Sequence, residues 1–255
     1  REHAMCGIMN GLALHSRLIP YGGTFLIFSD YCKPSIRLSA LMKKQVIYIM
    51  THDSIGLGED GPTHQPIEQL SGLRSIPNLN IFRPADRMET IECWELALKT
   101  SKTPSVLSLT RQNLNPIRKK YSSNNKCSFG AYEVLRTNKK INLTILASGS
   151  EVDLAIQTSH KLAKNKIYSK VISVPCQDLF DVQSKSYKKK IIGETKLKIS
   201  IEAGSTDSWK KYVGAEGITF GINEFGKSAP YKDIYKHFGL NVTNISKKTK
   251  NLLKN

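Results

Sequence analysis

Short, largely apolar runs alternate along this chain with longer stretches of helical periodicity. The runs are VIYIM (46–50), LNIF (79–82), SVLSLT (105–110), LTILA (143–147), KVISV (170–174) and LKISI (197–201). Such brief apolar runs are typical of strands buried on both faces of a parallel sheet. The alternation predicts an α/β fold, with two successive three-layer domains and largely parallel sheets.

A polar, basic segment separates the two halves of the chain. Its sequence, RKKYSSNNKCSF, is rich in serine, asparagine and lysine and is typical of a linker. We therefore expect a first domain at residues 1–117, a linker at 118–129 and a second domain at 130–255. The second domain shows no cluster of chemically reactive residues, so we expect it to serve packing and dimer contacts.

Two helices of the first domain have clear sequence signals. The chain begins inside an amphipathic pattern, with Met5, Ile8, Met9 and Leu12 on one helical face. The glycines that follow Tyr21 break this pattern. Farther on, the spacing of an aspartate and a glutamate in DRME, residues 86–89, resembles a capping box and predicts a helix start.

Composition excludes several classes of protein. No window approaches eighteen apolar residues, and no signal peptide pattern begins the chain, so we expect no membrane partner. Five cysteines without a CxxC spacing indicate reduced thiols, not a disulfide framework or a zinc site. The net charge of +17 is scattered and accompanies no nucleic-acid-binding motif, so it indicates a solvated surface and no nucleic acid partner.

A glycine-rich loop follows the run VIYIM. The segment IGLGEDGPTHQP, residues 55–66, cannot be the interior of a helix or strand because glycines and two prolines interrupt it. It carries the carboxylates of Glu59 and Asp60, and the imidazoles of His52 and His64 flank them. Ligands of parallel α/β sheets bind at the carboxyl ends of strands. The sequence therefore predicts a ligand site here.

Further motifs accompany this loop in a fixed order. They are REHAM (1–5), PYGGTFLIFSDY (20–31), THDSIGLGEDGPTHQP (51–66), RPAD (83–86), TRQNL (110–114), ASGSEV (147–152), IEAG (201–204), WKKYVG (209–214) and FGKSAP (225–230). In order and spacing they resemble the transketolase family over nearly the whole chain. The resemblance implies part of a thiamine-diphosphate-binding fold, the second half of a pyrimidine-binding domain, followed by a transketolase C-terminal domain.

The resemblance also implies an activity. Transketolases of the pentose phosphate pathway transfer a two-carbon ketol unit from a ketose phosphate to an aldose phosphate, and thiamine diphosphate carries that unit. The family implies a cytoplasmic homodimer that binds sugar phosphates. Its diphosphate site and Mg or Ca ion belong to an N-terminal domain with a GDG motif, which this chain lacks. We therefore expect only the pyrimidine end of the cofactor, and no metal, to be bound here.

Four residues match the cofactor site of the family. Glu2 corresponds to the catalytic glutamate that hydrogen-bonds the aminopyrimidine ring and shifts its tautomer. Phe25, Phe28 and Tyr31 correspond to the aromatic pocket around that ring. Judged from the residues alone, Glu2 is better explained as an acidic residue favoured in a first helical turn. Core packing is the alternative for the aromatic residues, although Phe28 and Tyr31 favour the site.

Four residues match the substrate site. His52 and Arg111 correspond to groups that hold the sugar phosphate, for which the planar guanidinium is suited. Asp60 corresponds to a carboxylate that contacts a donor hydroxyl. His64 corresponds to a second catalytic residue near the reacting centre.

Several alternatives stay open. The chain could be a truncated or cleaved piece of a longer enzyme or one half of a natural split; a cut inside a domain favours truncation, and we expect the piece alone to be inactive. A dihydroxyacetone synthase-like enzyme shares much of the pattern. A non-catalytic α/β module for assembly would be expected to lose the cofactor-facing residues, which are present.

Overall fold

Helices pack against two separate sheets. The computed structural model describes residues 1–118, 122–137 and 140–254. The first sheet has the strand order β1-β2-β4-β3, and all its strands are parallel. The elements of this first half are α1 (Glu2–His15), β1 (Tyr21–Phe25), α2 (Ser29–Leu41), β2 (Ile47–Thr51), α3 (Gln69–Arg74), β3 (Asn80–Phe82), α4 (Arg87–Lys99) and β4 (Ser105–Leu109).

The second sheet has the order β5-β7-β6-β8-β9, and only β5 runs antiparallel to its neighbour among the described strands. Its elements are β5 (Tyr132–Arg136), β6 (Leu143–Ala147), α5 (Glu151–Ala163), β7 (Ser169–Ser173), α6 (Gln177–Asp181), α7 (Lys185–Ile192), β8 (Leu197–Ile201), α8 (Lys210–Val213), β9 (Ile218–Phe220), α9 (Tyr231–His237) and α10 (Val242–Lys254). The predicted α/β fold with largely parallel sheets is confirmed.

Three strands had no clear sequence signal. β1 has the sequence YGGTF, whose paired glycines look like a break, yet it pairs with β2 along its full length at the edge of the sheet. β5 carries a register shift that disturbs its alternation, and β9 has only three residues. Pairing with an existing sheet edge decided these strands, and local preference did not.

The buried face of α1 overlaps the predicted one only in part. Cys6 and Met9 are buried against α2, whereas Ile8 and Leu12 are 64% and 41% exposed. The helix docks through a stripe that includes a polar residue, Asn10, whose amide donates to the Ser35 carbonyl oxygen at 2.9 Å. The apolar pattern therefore placed Met5 and Met9 correctly on the packed face, but Ile8 and Leu12 wrongly.

α4 begins as predicted but buries a carboxylate. Asp86 caps the helix, and its Oδ1 accepts a hydrogen bond from the Glu89 amide at 2.9 Å. The Glu89 side chain accepts from the Ala85 amide and from the hydroxyls of Tyr132 and Ser173, at 2.7, 2.7 and 2.6 Å. Burial raises the pKa of Glu89, although these donors oppose the shift. This carboxyl joins α4 to the second sheet.

The segment between the two halves is only partly described, since residues 119–121 of the predicted linker lie outside the described residues. Its described parts pack on α4. Arg118 forms an ion pair with Glu92 at 2.7 Å, and the amides of Lys126 and Cys127 donate to the same carboxylate at 3.0 and 3.1 Å. The boundaries of the linker stay a prediction.

All five cysteines are buried with free thiols. Within the described ranges, no helix combines the length and the hydropathy needed to span a membrane.

Candidate functional site

The carboxyl ends of three strands lie side by side at one edge of the first sheet. Phe25, the last residue of β1, is in register with Thr51 of β2, which is in register with Leu109 of β4. His52 comes one residue after β2, and Arg111 comes two residues after β4. Parallel pairing therefore brings predicted site residues from distant parts of the sequence to one edge, where ligands of such sheets bind.

The aromatic side chains and both loop histidines form one cluster at this edge. The His52 ring stacks on Phe25, with centroids 3.6 Å apart and an interplanar angle of 15°. Phe28 stands nearly parallel to Phe25 at 5.9 Å, and Tyr31 lies 6.0 Å farther along. His64 meets Phe28 edge-on at 5.6 Å. A 3₁₀ turn, Leu26–Phe28, gives the two phenylalanines this spacing.

His52 has an unusual backbone conformation, and its surroundings lower the pKa of its imidazole. Its φ of +56° lies in the left-handed region, which is uncommon for a residue with a side chain. Burial lowers the pKa of His52, and the nearby charge of Arg111 lowers it further, while the carboxylates of Asp60 and Asp53 oppose both effects. The imidazole is therefore favoured in its neutral form, with one donor and one acceptor nitrogen.

The glycine-rich loop turns back on itself behind the cluster. Ser54 caps a second 3₁₀ turn, Ile55–Leu57, by accepting from the Gly56 amide at 3.1 Å. Gly58 and Gly61 have φ of +91° and +78°, which a side chain would resist. The His64 amide donates to the Gly61 carbonyl oxygen at 3.0 Å. The carboxylates of Glu59 and Asp60 stay exposed at the tip of the loop.

Glu2 opens α1, and its side chain is half-buried. The backbone carbonyl oxygen of Glu2 accepts a hydrogen bond from the Cys32 thiol at 3.7 Å. Cys32 follows Tyr31 in α2, so the start of α1 lies beside the turn that carries the outermost aromatic ring of the cluster. The roles expected for Glu2 and for the cluster residues stay predictions.

Sequence reasoning missed a buried ion cluster behind the site, which we call the interdomain ion cluster: Asp53, Arg74, Arg83, Glu151 and Glu202. The Arg83 side chain is fully buried, and it donates to Asp53 Oδ2 at 2.8 Å and to Glu151 Oε2 at 2.6 Å. Burial raises the pKa of Asp53, and the charge of Arg83 offsets only part of this effect. Since Asp53 follows His52 directly, the cluster holds the end of β2 against the second domain.

Glu202 completes this cluster from the second sheet. Arg74 donates to its two carboxylate oxygens at 2.7 and 2.8 Å, and the Trp209 indole donates at 2.7 Å. Burial alone would raise the pKa of Glu202, but the guanidinium groups of Arg74 and Arg83 outweigh it and bring that pKa to about 2. The only sequence signal for this cluster was that four of its residues, Asp53, Arg83, Glu151 and Glu202, lie within the quoted motifs.

Two family models match the chain in succession. The "Transketolase, pyrimidine binding domain" matches residues 1–116, and the "Transketolase-like TK C-terminal domain" matches residues 130–241. The chain belongs to the transketolase family. The resemblance inferred from the motifs is thereby confirmed.

Relatives of the transketolase family show how much of a whole protein this chain represents. A transketolase of Sinorhizobium medicae is 49% identical over 255 residues, which are 100% of this chain and 36% of that protein. A solved transketolase from Leishmania mexicana superposes with a TM-score of 0.93 at 43% identity, over 100% of this chain and 37% of the other. The chain thus spans about a third of the length of these transketolases.

A third comparison concerns the fold alone. A solved structure described as a split gene transketolase, inactive beta4 tetramer, superposes with a TM-score of 0.82 at 19% identity. The match covers 100% of this chain and 82% of that one. This transketolase fold therefore also occurs in a chain of nearly the same extent.

Proposed function

We propose that this chain binds the pyrimidine end of thiamine diphosphate for an enzyme that transfers a two-carbon ketol unit from a ketose phosphate to an aldose phosphate. One observation carries the proposal: Phe25, Phe28, His52 and His64 converge at the carboxyl edge of the first sheet. Membership of the transketolase family supports it. We assign the pyrimidine-binding part to residues 1–117 and the C-terminal domain to 130–255, which the ranges of the two family models support.

The aromatic cluster fits a flat heterocycle. The rings of Phe25 and Phe28 differ in orientation by only 11°, so they form an aromatic wall against which an aminopyrimidine can stack. Tyr31 is 61% exposed and extends this wall outward. The backbone of Glu2 lies beside the same turn of α2. Its carboxyl would donate a proton to a nitrogen of the ring, which changes the tautomer of the ring.

Both histidines use one ring nitrogen within the protein. His52 Nδ1 lies 3.0 Å from the Thr51 hydroxyl, and His64 Nδ1 lies 3.0 Å from the Thr63 hydroxyl. When the hydroxyl donates to Nδ1, Nε2 carries the ring proton and can donate to an oxygen of the substrate. When bound, thiamine diphosphate would supply the carbon nucleophile that carries the ketol unit.

The exposed charges at the site suit a sugar phosphate. Arg111 offers a planar set of donors for phosphate oxygens, and Asp60 can accept from a hydroxyl of the donor sugar. Both side chains face solvent at the strand edge that carries His52. The metabolic setting that we propose is the pentose phosphate pathway of the cytoplasm.

A second polypeptide region would complete the site. We propose that it holds the diphosphate with a Mg or Ca ion, and that the whole enzyme is a homodimer. Among the described residues, no group of three or more His, Cys, Asp or Glu is placed to hold a metal ion. The exposed apolar side chains of Ile8 and Leu12 on α1 support an interface at this face.

Reconstitution tests the proposal. With thiamine diphosphate and magnesium, the isolated chain should give no ketol transfer from a ketose phosphate to an aldose phosphate. Mixing it with the N-terminal portion of the Sinorhizobium medicae relative should restore turnover. In that mixture, Glu2→Gln should lower kcat by about a hundredfold or more, whereas Lys210→Ala, at an exposed ion pair of the second domain, should not.

Two results would contradict the proposal. One is turnover by the chain alone. The other is a stable reconstituted complex, seen by its mass in solution, that binds thiamine diphosphate yet shows no ketol transfer.

A further inference from the structure

A segment of the second domain lies directly behind the glycine-rich loop. This segment, FGKSAPY at residues 225–231, is named here the clamp segment. The Ser228 hydroxyl donates to the Glu59 carbonyl oxygen at 2.5 Å. Glu59 precedes Asp60, so this bond holds the backbone at the tip of the loop. The two residues are 169 positions apart in sequence, and only the packing of the two domains brings them together.

Gln65 ties the other end of the loop to the same segment. Its side-chain amide donates at 2.9 Å to the Gly58 carbonyl oxygen within the loop and at 2.9 Å to the Lys227 carbonyl oxygen of the clamp segment. The Gln65 side chain is buried, so these bonds are shielded from water. Gln65 follows His64 directly, and the bonds therefore fix the backbone from which His64 projects.

Glycines allow this close approach. A Cβ on Gly226 would lie 1.6 Å from Gln65 Oε1, so no larger residue fits there while Gln65 keeps its place. A Cβ on Gly61 would lie 3.2 Å from the Ser228 Cβ. The contact between loop and clamp segment is thus tight at its centre.

A helix continues the contact toward the strand end. α9 packs against the 3₁₀ turn Ile55–Leu57, and the Tyr235 hydroxyl lies 3.5 Å from the Ser54 hydroxyl. The same Tyr235 hydroxyl donates to Glu151 of the interdomain ion cluster at 2.8 Å. The loop is therefore supported along its length from the second domain.

We propose that the clamp segment sets the positions of Asp60 and His64, which makes Ser228 and Gln65 positioning residues of the site. The second domain then does more than pack: it fixes the side of the loop that faces away from the ligand. The contacts of Asp60 and His64 with a sugar phosphate rest on the proposed function, whereas the positioning of the loop can be tested without it.

The His64 ring reports its own position. Because it stands edge-on to Phe28 at 5.6 Å and to Phe25 at 6.5 Å, its carbon-bound protons experience the ring currents of both phenyl groups. We would record the imidazole resonances of the full 255-residue chain by NMR and assign His64 with a His64→Gln variant. Amide hydrogen exchange across residues 58–65 would be measured on the same samples.

Two variants weaken the contact without adding bulk. Ser228→Ala should shift the His64 resonances and speed amide exchange in the loop by about fivefold, the effect of losing one net hydrogen bond. Gln65→Met removes two hydrogen bonds, so it should shift the same resonances and speed exchange by about twenty-five-fold. Ser228→Thr keeps the hydroxyl and should restore the resonances toward those of the original chain. Ser184→Ala, which removes an exposed N-cap serine from α7, is the control and should change neither readout.

The outcomes separate the possibilities. Unchanged His64 resonances and loop exchange in both Ser228→Ala and Gln65→Met would overturn the proposal, as would equal changes in Ser184→Ala. If the shifts appear as expected but the reconstituted enzyme transfers no ketol unit, the proposed function fails and the positioning role stands.

Discussion

The imidazole of His52 lies flat on the phenyl ring of Phe25, with 3.6 Å between centroids. Phe25 ends β1 and His52 follows β2, so the pairing of these two parallel strands creates the contact. One face of the imidazole is thereby covered, and its nitrogens remain at the ring edge. Nδ1 contacts the Thr51 hydroxyl, which leaves Nε2 for an incoming ligand.

We predict that His52 titrates below its ordinary pKa of 6.5. Burial disfavours the imidazolium, and the positive charge of Arg111 disfavours it further, so Arg111→Ala should raise the pKa of His52 toward 6.5. NMR titration of the imidazole would measure both values. Arg136→Ala, at an exposed ion pair on β5, is the matched control and should leave the titration unchanged. A lower pKa in Arg111→Ala would contradict this account.

Arg83→Met should destabilise the fold strongly. Arg83 is buried between the carboxylates of Asp53 and Glu151, and its removal leaves two buried acidic groups without their cation. We expect a loss of about 3–5 kcal/mol in the free energy of unfolding, measured by chemical denaturation. Arg136→Met, on the surface, should change it by less than about 0.5 kcal/mol. Similar losses of unfolding free energy in the two variants would show that the buried ion pairs contribute nothing to stability.

Glu202 should make stability sensitive to acid. Its pKa is about 2 in the folded state against an ordinary 4.5, so the ionised form is stabilised by folding. This contribution is present above pH 4.5 and is lost as the pH falls toward 2. Glu202→Gln should therefore be less stable than the original chain at pH 7, and the difference should shrink on acidification.

Denaturation curves between pH 2 and 7 would measure that difference for Glu202→Gln. Glu194→Gln is the control, because Glu194 pairs with Lys189 on the surface with both side chains exposed. A difference for Glu202→Gln that stays constant with pH would exclude a lowered pKa at this position.

Two glycine substitutions should have opposite signs. Gly58 has φ of +91°, so Gly58→Ala should cost about 1–3 kcal/mol in the free energy of unfolding. Gly11 lies within α1, and a Cβ added there would meet no neighbouring atom within 4 Å, so Gly11→Ala should stabilise by about 0.5–1 kcal/mol. Thermal and denaturant unfolding would compare them. A negligible effect of Gly58→Ala would mean that the loop relaxes to accept a side chain.

Much of the first sheet could be predicted from local patterns, and the residues of the candidate site from the resemblance of the motifs to a family. Apolar runs locate β2, β3 and β4 because a strand buried on both faces needs apolar side chains throughout. The glycines of the loop after β2 indicate a backbone that side chains would obstruct. The motifs also named Phe25, Phe28, His52 and His64, which the fold brings into one ring cluster.

The tertiary structure decided what depends on contacts between distant residues. Ile8 and Leu12 repeat at helical spacing, yet α1 docks through Cys6, Met9 and Asn10, because the surface of α2 selects the buried stripe. In the folded protein Arg83 is buried at the centre of the interdomain ion cluster. In the sequence, no local pattern distinguishes it from a surface arginine. Likewise, Ser228 becomes a partner of the loop only when the second domain folds against it. Local sequence encodes backbone preference and hydrophobic period, whereas partners far apart along the chain are chosen by the packing of whole elements.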